Sequence, residues 1–310
     1  MTRREYVSVF IRRLLLVLCG IAVIHLVLGI RPAFGAEPAT NEYDHIRTTL
    51  HGDGGPVAVL IPGMSTPGAV WDDTVAALSG DMRLLVVEVR GMEGARAPAN
   101  ERPGMMAGIV ADLSTDLAAR TLPPARIVGH SFGGLVAMQF GLDHPAQAES
   151  LLVIDSLPFF GTVFGAGQTV ESIEPQAAQM RAMLLAQAES IRAAGAMGTD
   201  DPAGGAGMSI VPANQLKIAN WSLKAEPTVV GQAIYEDMQA DLRQEIARLE
   251  QSLTVVYAAE ESAEFAHERY RTDYSANPAA RLVPAARSGH FIMLDRPDIV
   301  RDEVARGLVR

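Results

Sequence analysis

Ala125-Arg126-Ile127-Val128-Gly129-His130-Ser131-Phe132-Gly133-Gly134-Leu135-Val136-Ala137-Met138-Gln139-Phe140 places a short apolar run, a serine between glycines and a second apolar run in immediate succession. The first run is too short for a helix and reads as a buried strand, while the second is long enough for a helix that Pro145 closes. Between them, Gly129-His130-Ser131-Phe132-Gly133 has the form G-x-S-x-G. In that context the two glycines leave room for a sharp turn that lifts the serine hydroxyl clear of both elements.

Outward from this point the same rhythm repeats. Residues 57–61, 84–89, 126–128 and 151–154 are short runs, apolar but for Glu88 and Arg126, and helical stretches at 69–78, 105–119 and 132–144 lie between them. Strands of this kind are buried on both faces, so the alternation predicts a mostly parallel central sheet with helices on both sides, an α/β fold. Residues 43–50 and the turn at 51–55 predict a β-hairpin at its start. After Ile154 the alternation stops, and the next strand-like run is 253–257. The intervening residues 157–251 are expected to form a helical cap. One of its helices starts near Pro175, ends at Gly195 and shows Ala177, Met180, Leu184 and Ile191 on one face; a second carries Ile234, Met238, Leu242 and Leu249. Residues 280–284 and 298–308 supply a last strand and a closing helix. The expected organisation is a core of 43–156 and 252–310, with the cap inserted and residues 36–42 as a linker.

The chain has 310 residues, 48% apolar, and a net charge of -10. Its first 35 residues carry five arginines against Glu5, a balance of +4 that leaves -14 on the remainder. A body this acidic repels phosphate backbones, which excludes nucleic acid as a partner and points to a small-molecule substrate. The basic stretch through Arg13, the apolar run 14–30 and the small residues Ala33, Gly35 and Ala36 read as an export signal cleaved after Gly35, giving a periplasmic or secreted protein. The alternative is retention of residues 14–30 as an anchor, the one route to a membrane. Cys19, the only cysteine, falls inside that run, so the exported body has no disulfide.

A serine hydroxyl needs a base to take its proton and an acid to orient that base. Of the seven histidines, His25 lies in the signal, His130 within the serine turn, His45 and His51 ahead of the sheet, His144 at a helix end and His267 on a charged stretch. His290, in Ser288-Gly289-His290-Phe291, follows the last strand, where a loop can carry it over the sheet's carboxyl edge. Metal and cofactor chemistry find no support: His267-Glu268 lacks a second histidine at helical spacing, and no glycine-rich phosphate loop follows a strand. Catalysis is expected to need neither metal nor cofactor.

Ile61-Pro62-Gly63-Met64, Gly129-His130-Ser131-Phe132-Gly133-Gly134 and Gly289-His290-Phe291, with Asp295 and Pro297 beyond, resemble the α/β-hydrolase family from residue 43 to the end, the cap excepted. The resemblance implies Ser131 as nucleophile and His290 as base. It also implies an oxyanion hole made by the backbone N–H groups of Met64 and Phe132, with Pro62-Gly63 standing where relatives have His-Gly. The family places its acid just past the strand that follows the cap, often as Gly-x-x-Asp. Counting from Ala258 gives Glu261, and a one-residue shift gives Glu260; Asp155, at the end of an earlier strand, is the third candidate. Phe159, Phe160 and Phe164 enter the cap near the catalytic edge and are candidates for the substrate pocket. Together these imply hydrolysis of a carboxylic ester with an apolar acyl part. Thioester, amide, lactone and carbon–carbon hydrolysis share the oxyanion step and remain open, as does a ligand-binding protein without catalysis.

Overall fold

The computed structural model describes residues 39–165, 167–259 and 263–306. The described residues from Thr40 onward belong to one compact unit. The expected export signal or anchor lies outside the described residues, among which no helix is long and apolar enough to cross a membrane.

Eight strands form one sheet: β1 (Ala39–Glu42), β2 (Ile46–His51), β3 (Val57–Ile61), β4 (Arg83–Val89), β5 (Ala125–His130), β6 (Ala148–Ile154), β7 (Ser252–Ala259) and β8 (Arg281–Ala286). Their spatial order is β1-β2-β4-β3-β5-β6-β7-β8. From β4 to β8 all neighbours are parallel, and β2 pairs antiparallel with β4. Two expectations change here. The linker over 36–42 is strand from Ala39 onward, and the turn at 51–55 does not fold β2 against β3, because β4 lies between them.

Alternation along the strands assigns the two faces. Val57, Val59 and Ile61 of β3 face one core, while Ala58 and Leu60 face the other. The first core is covered by α2 (Met105–Ala119), α3 (Phe132–Asp143) and α8 (Ala263–Asp273) through Ile109, Leu113, Leu135, Met138 and Tyr270, with Tyr274 just beyond α8. The second is covered by α1 (Asp72–Leu78), α9 (Ile292–Asp295) and α10 (Pro297–Ala305), with Trp71, Ile292, Met293 and Val300 buried against the sheet.

Between β6 and β7 the chain forms α4 (Val170–Ala186), α5 (Ala188–Met197), α6 (Pro212–Lys224) and α7 (Pro227–Gln239), with no strand among the described residues. The helix expected from Pro175 starts earlier, because Thr169 accepts from Ser172 N–H and the Ser172 side chain answers the Thr169 N–H in a capping box. Pro175 then sits in its second turn, and the helix breaks at Gln187. The second expected helix stops at Gln239, so Leu242 and Leu249 lie beyond it. Helix α6 buries only Ile218 and Ala219, too narrow a face to show as an apolar stripe.

Candidate active site

Ser131 stands between β5 and α3 with φ 54 and ψ -125, a backbone conformation rarely tolerated by a residue with a side chain. Surrounding contacts hold it there. Its N–H donates to the Ile154 carbonyl at 3.0 Å, and its carbonyl accepts from Gly134 N–H at 2.7 Å. A Cβ on Gly129 would come within 1.9 Å of the Gly133 carbonyl oxygen, and one on Gly133 within 2.5 Å of the Pro62 oxygen. Both flanking glycines are therefore obligatory for the turn.

Asp155 follows β6, next to β5 in the sheet, and also has a positive φ of 46. Its Oδ2 lies 2.7 Å from Nδ1 of His290, which comes from the loop after β8. Its Oδ1 accepts from Ala258 N–H at 2.8 Å and from the Tyr270 hydroxyl at 2.9 Å. Burial by itself would raise this carboxyl, but the bond to His290, aided by those from Ala258 and Tyr270, holds it below its usual range. Asp155 is thus an ionised acceptor fixed by three donors, and it occupies the one Nδ1 of His290. Glu261 and Glu260, placed ahead of it in the sequence reading, lie outside the described residues.

The His290 loop is held from both sides. His130 is fully buried, and its Nε2–H donates to the His290 carbonyl at 3.1 Å with the ring centroids 4.6 Å apart. Burial, reinforced by the neighbouring His290, pushes the His130 imidazole down to about 3, so it stays neutral. On the other side Asp295 accepts from Gly289 N–H at 2.9 Å, from Ile210 N–H at 3.0 Å and from the Ser209 hydroxyl. Phe291 N–H donates to the Met208 carbonyl at 2.8 Å, which ties the same loop to the segment between α5 and α6.

Met64 follows β3 and Phe132 opens α3, both at the carboxyl edge of the sheet beside Ser131. Neither main-chain N–H is bonded to another group among the described residues, so both are free to receive an acceptor. Ser131, Asp155, His290 and Met64 share the wall of a cavity of about 520 Å³, a size suited to a small or medium ligand. Its remaining wall is largely apolar, with Leu157, Met180, Met208, Val230 and Ile234 from the region between β6 and β7. Phe160 contributes to it, whereas the other two aromatic candidates do not. Phe159 is buried with Ile173, Ala177 and Met238 in a separate small core, under the Arg243 guanidinium. Phe164 is 39% exposed and meets Phe160 edge-on at 5.8 Å. Sequence reasoning missed the polar wall residues Asp237, Arg269 and Tyr270, which carry no motif and look like ordinary helix-surface positions.

Comparison with known proteins identifies the family and the fold. A model of the alpha/beta hydrolase family matches residues 58–303, and the chain belongs to that family. Among curated relatives, a putative carbamate hydrolase RutD of Escherichia coli is 32% identical over 100 residues, 32% of this chain and 37% of that one. A pimeloyl-[acyl-carrier protein] methyl ester esterase of Aeromonas hydrophila is 33% identical over 106 residues, 34% of this chain and 40% of that one. The match spans well under half of either relative. Similar solved structures include a hydrolase from Pseudomonas aeruginosa, with TM-score 0.64 and 20% identity, covering 87% of this chain and 98% of that one. An enol-lactonase from Burkholderia xenovorans has TM-score 0.62 and 19% identity, covering 84% and 95%. At those identities the likeness concerns the fold.

Proposed function

We propose that the protein is a serine hydrolase that cleaves a small or medium carboxylic ester with an apolar acyl part, with Ser131 as nucleophile, His290 as general base and Asp155 as the acid. The observation that carries this is the 2.7 Å contact from His290 Nδ1 to an ionised Asp155 on the cavity that also holds Ser131 in its strained turn. Asp155 replaces Glu261 in this reading, because an imidazole has one Nδ1 and Asp155 engages it.

In this mechanism His290 Nε2 takes the Ser131 hydroxyl proton as Oγ bonds to the ester carbonyl carbon. The N–H groups of Met64 and Phe132 receive the oxyanion. The C–O bond to the alcohol breaks, and the imidazolium returns its proton to that leaving oxygen. Water then attacks the acyl-enzyme, giving its proton to His290, and the acid is released with Ser131 restored. Asp155 keeps Nδ1–H in place and stabilises the imidazolium throughout.

The named activities of the relatives, on a carbamate, a methyl ester and an enol-lactone, support acyl chemistry of this kind. A ligand-binding protein on the same scaffold needs no oriented base, which favours catalysis. We place the protein outside the cytoplasm on the strength of residues 1–35. Mass spectrometry of the mature chain tests that: a start at Ala36 supports release, and an intact N-terminus supports anchoring.

The test of the reaction is labelling of protein lacking residues 1–35 with a fluorophosphonate, followed by peptide mapping. Modification at Ser131, lost in His290→Ala, with ester hydrolysis abolished in Ser131→Ala, is the expected result. Failure to label a protein that is folded by circular dichroism would sink the reading.

A further inference from the structure

Asp237 lies on α7, is 8% exposed, and lines the same cavity as Ser131 and His290. Its carboxyl has no hydrogen bond or ion pair among the described residues. Other buried carboxylates in this protein are treated differently. Asp116, 0% exposed, accepts from Asn41 at 2.6 Å, Tyr43 at 2.9 Å, Thr48 at 2.7 Å and Arg120 at 2.9 Å. Glu226, 2% exposed, accepts from Arg192 and Thr228. Arg269, the cation in the same cavity wall, is paired with Asp273 at 3.8 Å and not with Asp237.

The Asp237 oxygens open to the cavity, and a carboxyl held in largely apolar surroundings without a hydrogen-bonding partner is unfavourable. On a cavity wall that also carries Met180, Val230 and Ile234, a leucine at this position would not carry that cost. Burial pushes the Asp237 carboxyl up to about 7, opposed by the charge of His290, so it can present a proton or a charge to whatever enters. Arg269 and Ser222 also line the cavity, yet no described side chain or N–H donates to this carboxyl, and Arg269 Nη2 is itself buried without a hydrogen-bond partner, which leaves a ligand to meet it.

We propose that Asp237 is the specificity residue of the acyl site, and that the substrate's acyl part, apolar along most of its length, carries one hydrogen-bond donor, a hydroxyl or an ammonium, that binds this carboxyl. The proposal rests on the reading of the cavity as an acyl site. Turnover by itself is not needed to test it.

The test is calorimetric binding to Ser131→Ala protein, with methyl hexanoate and its hydroxy and amino derivatives substituted near the carbonyl or at the chain end as probes. At least one derivative should bind about tenfold more tightly than the plain ester, equivalent to about 1.4 kcal/mol. Ser131→Ala/Asp237→Leu should erase that advantage, and Asp237→Asn should keep it for a hydroxyl but lose it for an ammonium. Asp237 has no internal partner to lose, so both variants should remain folded, checked by circular dichroism. Equal affinity of plain and substituted esters, absence of binding by every derivative, or an advantage unchanged in Asp237→Leu overturns the proposal. Failure of the wild type to hydrolyse esters would instead count against the hydrolase reading, since binding here is measured on protein that lacks the nucleophile.

Discussion

Ser131 and His290 were legible as residues because their local sequence is constrained by their own backbone. The glycines at 129 and 133 exist for steric reasons that can be read directly from a five-residue pattern. Replacing Gly129 by Ala forces a Cβ to within 1.9 Å of a carbonyl. Gly129→Ala should cost about 2 kcal/mol or more in urea unfolding, whereas Gly80→Ala, where nothing lies within 4 Å, should be close to neutral. The carboxylate that contacts His290 was not legible in the same way. In the sequence Asp155 follows β6 and Glu260 and Glu261 follow β7, and no local pattern says which carboxylate meets His290 after the sheet is assembled. Asp155→Asn should lower kcat by on the order of 10³–10⁴-fold with the fold retained, since it spoils the tautomer of the base. Glu261→Ala and Glu260→Ala should leave kcat within a few-fold; a large loss in either would reassign the acid.

At the level of elements, strands β3 to β7 were readable because each buries a largely apolar run, and helices α2 and α3 because their apolar residues are spaced or extended over a helical length. The region between β6 and β7 was read less well. Three of its helices start at Val170, Pro212 and Pro227, where the Thr169 capping box and proline geometry outweigh the apolar stripe. One link between this region and the core had no sequence signal. Glu236 of α7 accepts from Gly104 N–H at 2.7 Å, Met105 N–H at 2.9 Å and Met106 N–H at 2.7 Å, so it caps α2 from another helix. A carboxylate at three free N–H groups is favoured by both hydrogen bonding and the helix dipole. Glu236→Ala should lose about 1–2 kcal/mol of stability and speed amide exchange in the first turn of α2. An unchanged unfolding midpoint would show that the contact contributes little.

For the whole molecule, the two cavity carboxylates pull stability in opposite directions with pH. Asp155 is held below its ordinary value, so it stabilises the fold above the ordinary carboxylate range and loses that contribution as acid protonates it. Asp237 is raised to about 7, so its folded form holds a proton that the unfolded chain has already released. Its contribution is fully present below the ordinary carboxylate value and is lost as pH rises to about 7. Asp237→Asn, which is always neutral, should therefore raise the thermal midpoint at about pH 8 and leave it nearly unchanged at about pH 4. The same gain at both pH values would show that the carboxyl is not raised.

By itself the sequence determined the sheet-and-helix alternation, the serine turn and the histidine loop, because burial periodicity, glycine sterics and turn chemistry act over a few neighbouring residues. The tertiary structure decided the rest. Asp155 reaches His290 across 135 positions, His130 steadies the His290 loop across 160, and Glu236 caps α2 across more than 130. The unpartnered state of Asp237 belongs to the same class. Whether a polar group is satisfied depends on what the folded chain brings to it, and no local pattern encodes that.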